Sequence, residues 1–119
     1  MNHHQIERYI DVIMDGMYRD YPELEKRFGE AGKIKCREDN HHHFRHLKTA
    51  FTLQNEQFFI DYAHWLTNLL VSRGMKAAHV KDNFERLHDV LKDEHSEEAV
   101  FYRMILAEAM AAIEGRDTI

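Results

Sequence analysis

The sequence predicts an all-α protein, a single compact bundle of about five to six helices in one domain over residues 1–119. The chain has only five Gly and one Pro, too few for the many tight turns of a β-rich fold of this size. Apolar residues make up 44 % of the chain and recur at spacings of three and four, the period of an amphipathic helix. One hydrophobic core is the expected organisation at this length.

The first two helices are predicted in the N-terminal quarter of the chain. Pro22 fits the first turn of the second helix, where its missing N–H costs no hydrogen bond. This helix runs to about Phe28 and is ended by Gly29 and Gly32, and residues 33–36 are predicted to form a connection. The apolar face of the first helix consists of Ile6, Ile10, Ile13, Met14 and Met17.

A third helix over about residues 37–54 and a fourth helix after it are predicted next. Asn55 is placed to cap the fourth helix, because a short side-chain acceptor satisfies free N–H groups of a first turn. Gly74 is placed to end it in the left-handed conformation. The apolar stripes are Phe44, Leu47 and Phe51 in the third helix and Phe59, Tyr62, Ala63, Leu66, Leu69 and Leu70 in the fourth.

The last two helices differ in how their apolar residues are distributed. Ser96 is placed to cap the last helix, and Gly115 is placed to end it. The last helix is apolar over much of its circumference, so we expect it either to be the most buried element or to present one face to a partner. The apolar residues are Ala77, Val80, Phe84, Leu87 and Leu91 in the fifth helix and Val100, Met104, Ala107 and Ala111 in the last.

Charge and cysteine content exclude several classes of function. The net charge is −5, from 16 basic and 21 acidic residues, and no basic block appears, so nucleic-acid binding is not expected. No apolar run approaches the roughly 20 residues of a membrane span. A single cysteine, Cys36, suits a reducing compartment, and the first residues do not resemble a secretion signal. We therefore expect a cytoplasmic protein.

Ten histidines make metal binding the first chemistry to consider. Three carboxylate–imidazole pairs have i,i+3 spacing, as in di-iron bundles, which use two Glu-x-x-His pairs. His64 nevertheless points away from Tyr62 and Leu66, and the further inward Glu residues of such bundles are missing, so pairing on solvated surfaces is expected instead. The three pairs are Glu38 with His41, Asp61 with His64 and Glu85 with His88.

A denser cluster lies at residues 41–46. His42 and His46 are one helical turn apart and could together hold a transition metal, although two neutral ligands make a weak site. His43 is expected to be a buried or half-buried histidine with a hydrogen-bond partner. The alternative hypothesis is a metal- or haem-binding protein that uses His42, His43 and His46 together with His64 or His88. In the leading hypothesis no cofactor is bound.

Motifs for catalysis are lacking. Cys36 has histidines near it in sequence, but no Cys-His-Asn arrangement can be assigned, and no P-loop or dinucleotide fingerprint is present. We therefore expect a protein that is not an enzyme.

Aromatic residues crowd two turns of the fourth helix. There are more large aromatic residues here than a single inward-facing stripe can bury. Phe58 and Trp65 lie about two turns apart on one flank of the helix. This flank either binds a flat ligand or a second subunit, or is covered by neighbouring helices.

Scattered motifs occur over residues 35–91, namely KCREDN at 35–40, HFRHL at 43–47, AF at 50–51, FIDYAHWL at 59–66 and LLVSRGM at 69–75. Together they resemble a helical domain found upstream of cobalamin-binding modules in bacterial regulatory proteins. This resemblance implies a helical sensory or regulatory module in which a separate domain would bind cobalamin. The signature Asp-x-His-x-x-Gly is absent, and LTNLL follows Trp65 where related bundles have Trp-x-x-x-Glu-His, so no ligand residues are carried over. Asp61 and Arg73 match polar positions of the motif, and a structural role is expected for them.

The function expected from these observations is a non-catalytic module that works through protein–protein contacts, as a homodimer or with another protein. The apolar last helix and the aromatic flank at Trp65 motivate it.

Overall fold

The computed structural model describes residues 1–114, which form five helices and contain no strand. The all-α prediction is confirmed, and the number of helices lies in the predicted range. The predicted end of the last helix at Gly115 lies outside the described residues. The helices are α1 (His3–Asp20), α2 (Pro22–Leu53), α3 (Glu56–Ser72), α4 (Ala77–Val90) and α5 (Glu97–Ile113).

The predicted connection at residues 33–36 is wrong, because these residues are helical within α2. The interruption is confined to Gly29, whose φ of 62° and ψ of −157° leave the helical region and bend the chain. Gly32 lies inside the helix rather than at its end, and a Cβ there would come within 2.5 Å of the Phe28 Cβ. Gly32 is therefore explained by this close approach, and the helix continues directly after the bend.

Contacts divide the chain into two compact units, residues 1–45 and residues 46–119. The prediction of a single domain stays a prediction.

In the first unit, α1 packs on the part of α2 that follows the Gly29 bend, where Phe44 lies beside the Tyr9 ring and Lys33 lies over the Tyr18 ring. Its buried apolar residues include Ile10, Ile13, Met17, Leu24 and Phe44. The Arg37 guanidinium donates to the carboxylates of Glu7 and Asp11 at 3.0 and 2.6 Å, and these bonds tie the two helices together. Asn2 caps α1 by accepting from the Gln5 backbone N–H at 2.9 Å.

In the second unit, α5 packs against both α3 and α4. The Phe59 and Phe84 rings lie 5.5 Å apart in its core, and both side chains are fully buried. The Arg103 guanidinium of α5 donates to the carbonyls of Leu91 and Glu94, just beyond the end of α4. The Leu91 carbonyl also accepts from the Glu94 backbone N–H at 3.0 Å, so Arg103 adds a side-chain donor to the turn that follows α4. None of the helices described combines the length and the apolar character needed to cross a membrane.

Gln54, which joins α2 to α3, has a φ of 50°, a left-handed conformation that disfavours any residue with a Cβ. The backbone N–H of Asn55 donates to the Ala50 carbonyl at 2.9 Å, the bond expected when a helix ends in this conformation. We expect Gln54→Gly to raise the free energy of unfolding by about 0.5–1 kcal/mol, net of the lost bond from Gln54 Nε2 to the Phe51 carbonyl. Urea denaturation measures the change. Gln54→Ala, which loses the same bond but keeps the Cβ, is the control. It should not raise the free energy of unfolding.

Candidate interaction surface

Helix α5 has two apolar faces. One faces the core and consists of Ala99, Tyr102, Ile105, Leu106, Ala109 and Ile113, all at most 2 % exposed. The other, called the outer face here, consists of Val100, Met104, Ala107 and Ala111, which are exposed. The Val100 side chain is 50 % exposed and that of Met104 is 42 % exposed. Helix α5 therefore buries one apolar face and exposes another, and a partner at the exposed face stays a prediction.

An open groove of about 480 Å³ runs beside the N-terminal half of the outer face. The Phe51 and Phe101 rings form one wall and meet edge to face with their centroids 5.5 Å apart. Val100 and Met104 extend the groove onto α5 itself. Aromatic, methionine and branched aliphatic side chains of this kind are typical of the buried centre of protein interfaces. The full lining is Phe51, Gln54, His95, Glu97, Val100, Phe101 and Met104.

Two carboxyl groups lie together beside the C-terminal half of α5. Glu108 is within hydrogen-bonding reach of Glu56, the first residue of α3. Partial desolvation, together with the neighbouring Glu56 carboxylate, raises the pKa of Glu108 above its usual value. Within residues 1–114, neither carboxyl forms an ion pair with a lysine or arginine.

The aromatic flank of α3 is partly covered and partly open. The His46 ring stacks on Tyr62 at a centroid distance of 3.8 Å and lies 5.7 Å from Phe58. Phe58 is half-buried, whereas Trp65 is 60 % exposed although its ring lies 6.2 Å from Tyr62. A neighbouring helix thus shields Phe58, and Trp65 stays available for contact.

The histidines proposed as metal ligands have separate surroundings. The Arg45 guanidinium lies 2.6 Å from His42 Nδ1. His43 is buried at 1 % exposure, as the sequence predicted for it, and no buried side-chain nitrogen or oxygen in the described chain lacks a hydrogen-bond partner. His64 and His88 are half-buried, and His88 Nδ1 lies 3.6 Å from an Asp89 oxygen.

The carboxylate–imidazole pairs do not assemble a metal centre either. His41 Nε2 pairs with Glu7 at 2.6 Å, rather than with Glu38 one turn away on its own helix. Nowhere in residues 1–114 do three His, Cys, Asp or Glu side chains converge. The metal alternative therefore has no assembled site in the part of the chain that the structure describes.

Cys36 is held in an environment that suppresses thiolate chemistry. Burial, reinforced by the Asp39 carboxylate, raises the pKa of its thiol to about 11, so little thiolate is present at neutral pH. The Asn40 side-chain amide donates to the Cys36 carbonyl at 3.0 Å, inside the intact helix α2.

Sequence reasoning missed the groove and the Glu56–Glu108 pair, because each is formed by residues from different helices. Only the all-round apolar character of α5 pointed to this surface in advance.

Comparison of the chain with protein-family models, with curated proteins and with solved structures finds no match. The resemblance to a cobalamin-associated helical domain stays a prediction.

Proposed function

We propose that this chain is a non-catalytic helical module that works through protein–protein contacts, as a homodimer, at the outer face of α5. The exposure of Val100 and Met104, the two bulky residues of the outer face, supports the proposal more than any other observation. Burying apolar surface stabilises a complex by about 25 cal/mol per Å². The groove beside the outer face offers further apolar area to a partner.

A sensory or regulatory role is the part of this proposal that comes from the resemblance noted in the sequence. Such modules pass a signal by changing which surfaces are in contact, and they need no reacting group of their own. The single free thiol of Cys36 fits a reducing compartment, which supports a cytoplasmic location as part of the proposal.

The test places charge on the outer face. We expect wild-type protein to be dimeric at about 50 µM, and Val100→Glu combined with Met104→Glu to weaken association by at least about 30-fold, since buried interface centres tolerate charge poorly. Analytical ultracentrifugation over a concentration series measures the dimer dissociation constants of the wild type and of the double variant.

Val71→Glu is the matched control, because Val71 is an exposed valine of the same unit on a different helix, at 44 % exposure. It should associate like the wild type. A wild type that remains monomeric throughout the series, or an α5 double variant that associates normally, would contradict the proposal.

A further inference from the structure

The bend in α2 depends on two glycines. Gly29 has a φ of 62° and a ψ of −157°, a combination essentially restricted to glycine, although a Cβ there would meet open space. At Gly32 a Cβ would lie 2.5 Å from the Phe28 Cβ. In an unbroken helix, residues four apart hold their Cβ atoms about 5–6 Å from each other, so this crowding arises only in the bent form. Both glycines are therefore explained by the bend.

The residues on either side of the bend already have helical geometry, and Pro22 stands in the first turn. A change at Gly29 alone would therefore turn residues 22–53 into one continuous helix, about 48 Å long at 1.5 Å per residue. Straightening would also carry α1 and residues 22–28 away from the part of α2 that they now contact.

Contacts across the bend hold these segments in place. The Arg37 guanidinium donates to the carboxylates of Glu7 and Asp11 at 3.0 and 2.6 Å. Lys33 Nζ lies 3.1 Å from a Glu25 oxygen. The apolar side chains buried in this unit, each at most 5 % exposed, include Ile10, Ile13, Met17, Leu24 and Phe44. A single chain that straightened would expose them, so a straight α2 requires a second molecule to cover them.

The surface uncovered by straightening fits one partner. It is complementary to α1 itself, with a guanidinium placed for two carboxylates beside an apolar strip. A second copy of the chain supplies the same helix with the same charges.

We propose that two copies of this chain exchange α1 and residues 22–28, each chain straightening at Gly29. Glu7 and Asp11 of one chain then accept from Arg37 of the partner subunit, and the apolar strip is covered again. The contacts of the single chain are thus remade between chains, while the backbone conformation that only glycine tolerates disappears. A hinge of one residue between two packed segments is short, and short hinges favour such exchange.

Charge complementation tests the exchange. One chain carries Arg37→Glu, and the other carries Glu7→Lys with Asp11→Lys. Both also carry Val100→Glu and Met104→Glu, which remove the contact proposed for α5. Each chain alone brings like charges together where α1 meets α2, whereas an exchanged dimer of the two joins opposite charges at both contacts.

We expect the two chains, refolded together from urea, to form at least about ten times more of the mixed dimer than of either homodimer. Native mass spectrometry counts the three species. A mixture that stays monomeric, or a mixed dimer no more abundant than random pairing gives, would overturn the proposal.

Glu30→Pro in both chains is the control. Residue 30 begins the helix after the bend, where proline is tolerated, but it lies inside the straight helix, where proline removes a hydrogen bond and clashes with the preceding turn. The bent chain should stay folded by circular dichroism, and the mixed dimer should be lost. A mixed dimer that survives this change would overturn the proposal.

Gly29→Ala with Gly32→Ala should raise the exchanged dimer of the otherwise natural chain at least about 30-fold, because alanine favours the continuous helix at both positions and fits the bend at neither. Ala31→Gly is the control for helix propensity. Residue 31 is helical in both forms, so this change should leave the population within about threefold of the wild type.

The shape of α2 is read from spin labels at the exposed positions 23 and 45, attached to cysteines in a Cys36→Ser background. Labelled chains are diluted with unlabelled ones, so that only distances within a chain are measured. Electron double resonance should give about 33 Å in the double alanine variant, the length of 22 residues of straight helix, and a shorter distance in the wild type. A double alanine variant that is a folded monomer with the wild-type distance would overturn the proposal.

This inference goes beyond the proposed function, and the two fail separately. Exchange is measured in chains whose outer face carries charge, whereas the α5 contact is measured in chains with a natural hinge.

Discussion

Phe59→Ala should lower the free energy of unfolding by about 3–5 kcal/mol, because it removes a fully buried ring and leaves a cavity that the surrounding helices can fill only in part. The Phe59 ring lies 5.5 Å from both Tyr62 and Phe84, so α3 and α4 lose contacts together. Small domains have total stabilities of about 5–15 kcal/mol, and this single change therefore removes a large share.

Urea denaturation followed by tryptophan fluorescence measures this loss in the second unit, because the only tryptophan, Trp65, lies on α3. Phe58→Ala is the matched control. It makes the same truncation at the adjacent, half-buried position, and we expect it to cost about 1–2 kcal/mol. Equal losses at the two positions would show that the packing described for Phe59 is wrong.

Arg103→Met is expected to lower the free energy of unfolding by about 2–3 kcal/mol. The guanidinium donates to the carbonyls of Leu91 and Glu94, and hydrogen bonds from charged donors contribute more than neutral ones. Leu91 is fully buried, so water does not readily replace the guanidinium, and its carbonyl keeps the bond from the Glu94 backbone N–H at 3.0 Å. Methionine preserves most of the aliphatic stem, and the change therefore reports mainly on the two hydrogen bonds.

Arg103→Lys separates charge from geometry, because an ammonium group lacks the planar fork that reaches two carbonyls. We expect lysine to recover less than half of the loss. Amide hydrogen exchange should quicken around residues 90–95 in both variants. A loss below about 0.5 kcal/mol for Arg103→Met would mean that the segment after α4 is held by other contacts.

The fold class followed from the sequence because few Gly and Pro residues and a persistent helical period favour only helices. Glycine was less informative as a stop signal. Gly29 does interrupt the helix, but Gly32 is explained by its approach to Phe28, and no local rule separates these two uses. The wrong prediction of a connection at residues 33–36 arose because Gly32 was interpreted as a helix end.

The candidate surface was harder to predict than the helix that bears it. Because α5 is apolar over much of its circumference, its sequence allows either face to turn inward. Only the positions of α3 and α4 decide that Tyr102 is buried while Met104 is exposed. The Glu56–Glu108 pair brings together residues 52 positions apart, which no short motif records. His43 was the easier case, because it shares one side of its helix with Leu47, and both are buried.

The two-sided character of α5 would couple any binding at its outer face to folding. Its inner residues complete the core of the second unit, so any molecule that covers the outer face binds only the folded chain. By mass action such a ligand stabilises the native state, by about 1.4 kcal/mol at a free concentration ten times its dissociation constant. If the ligand is the chain itself, resistance to heat rises with the amount of protein present, and dilution alone makes the molecule easier to unfold.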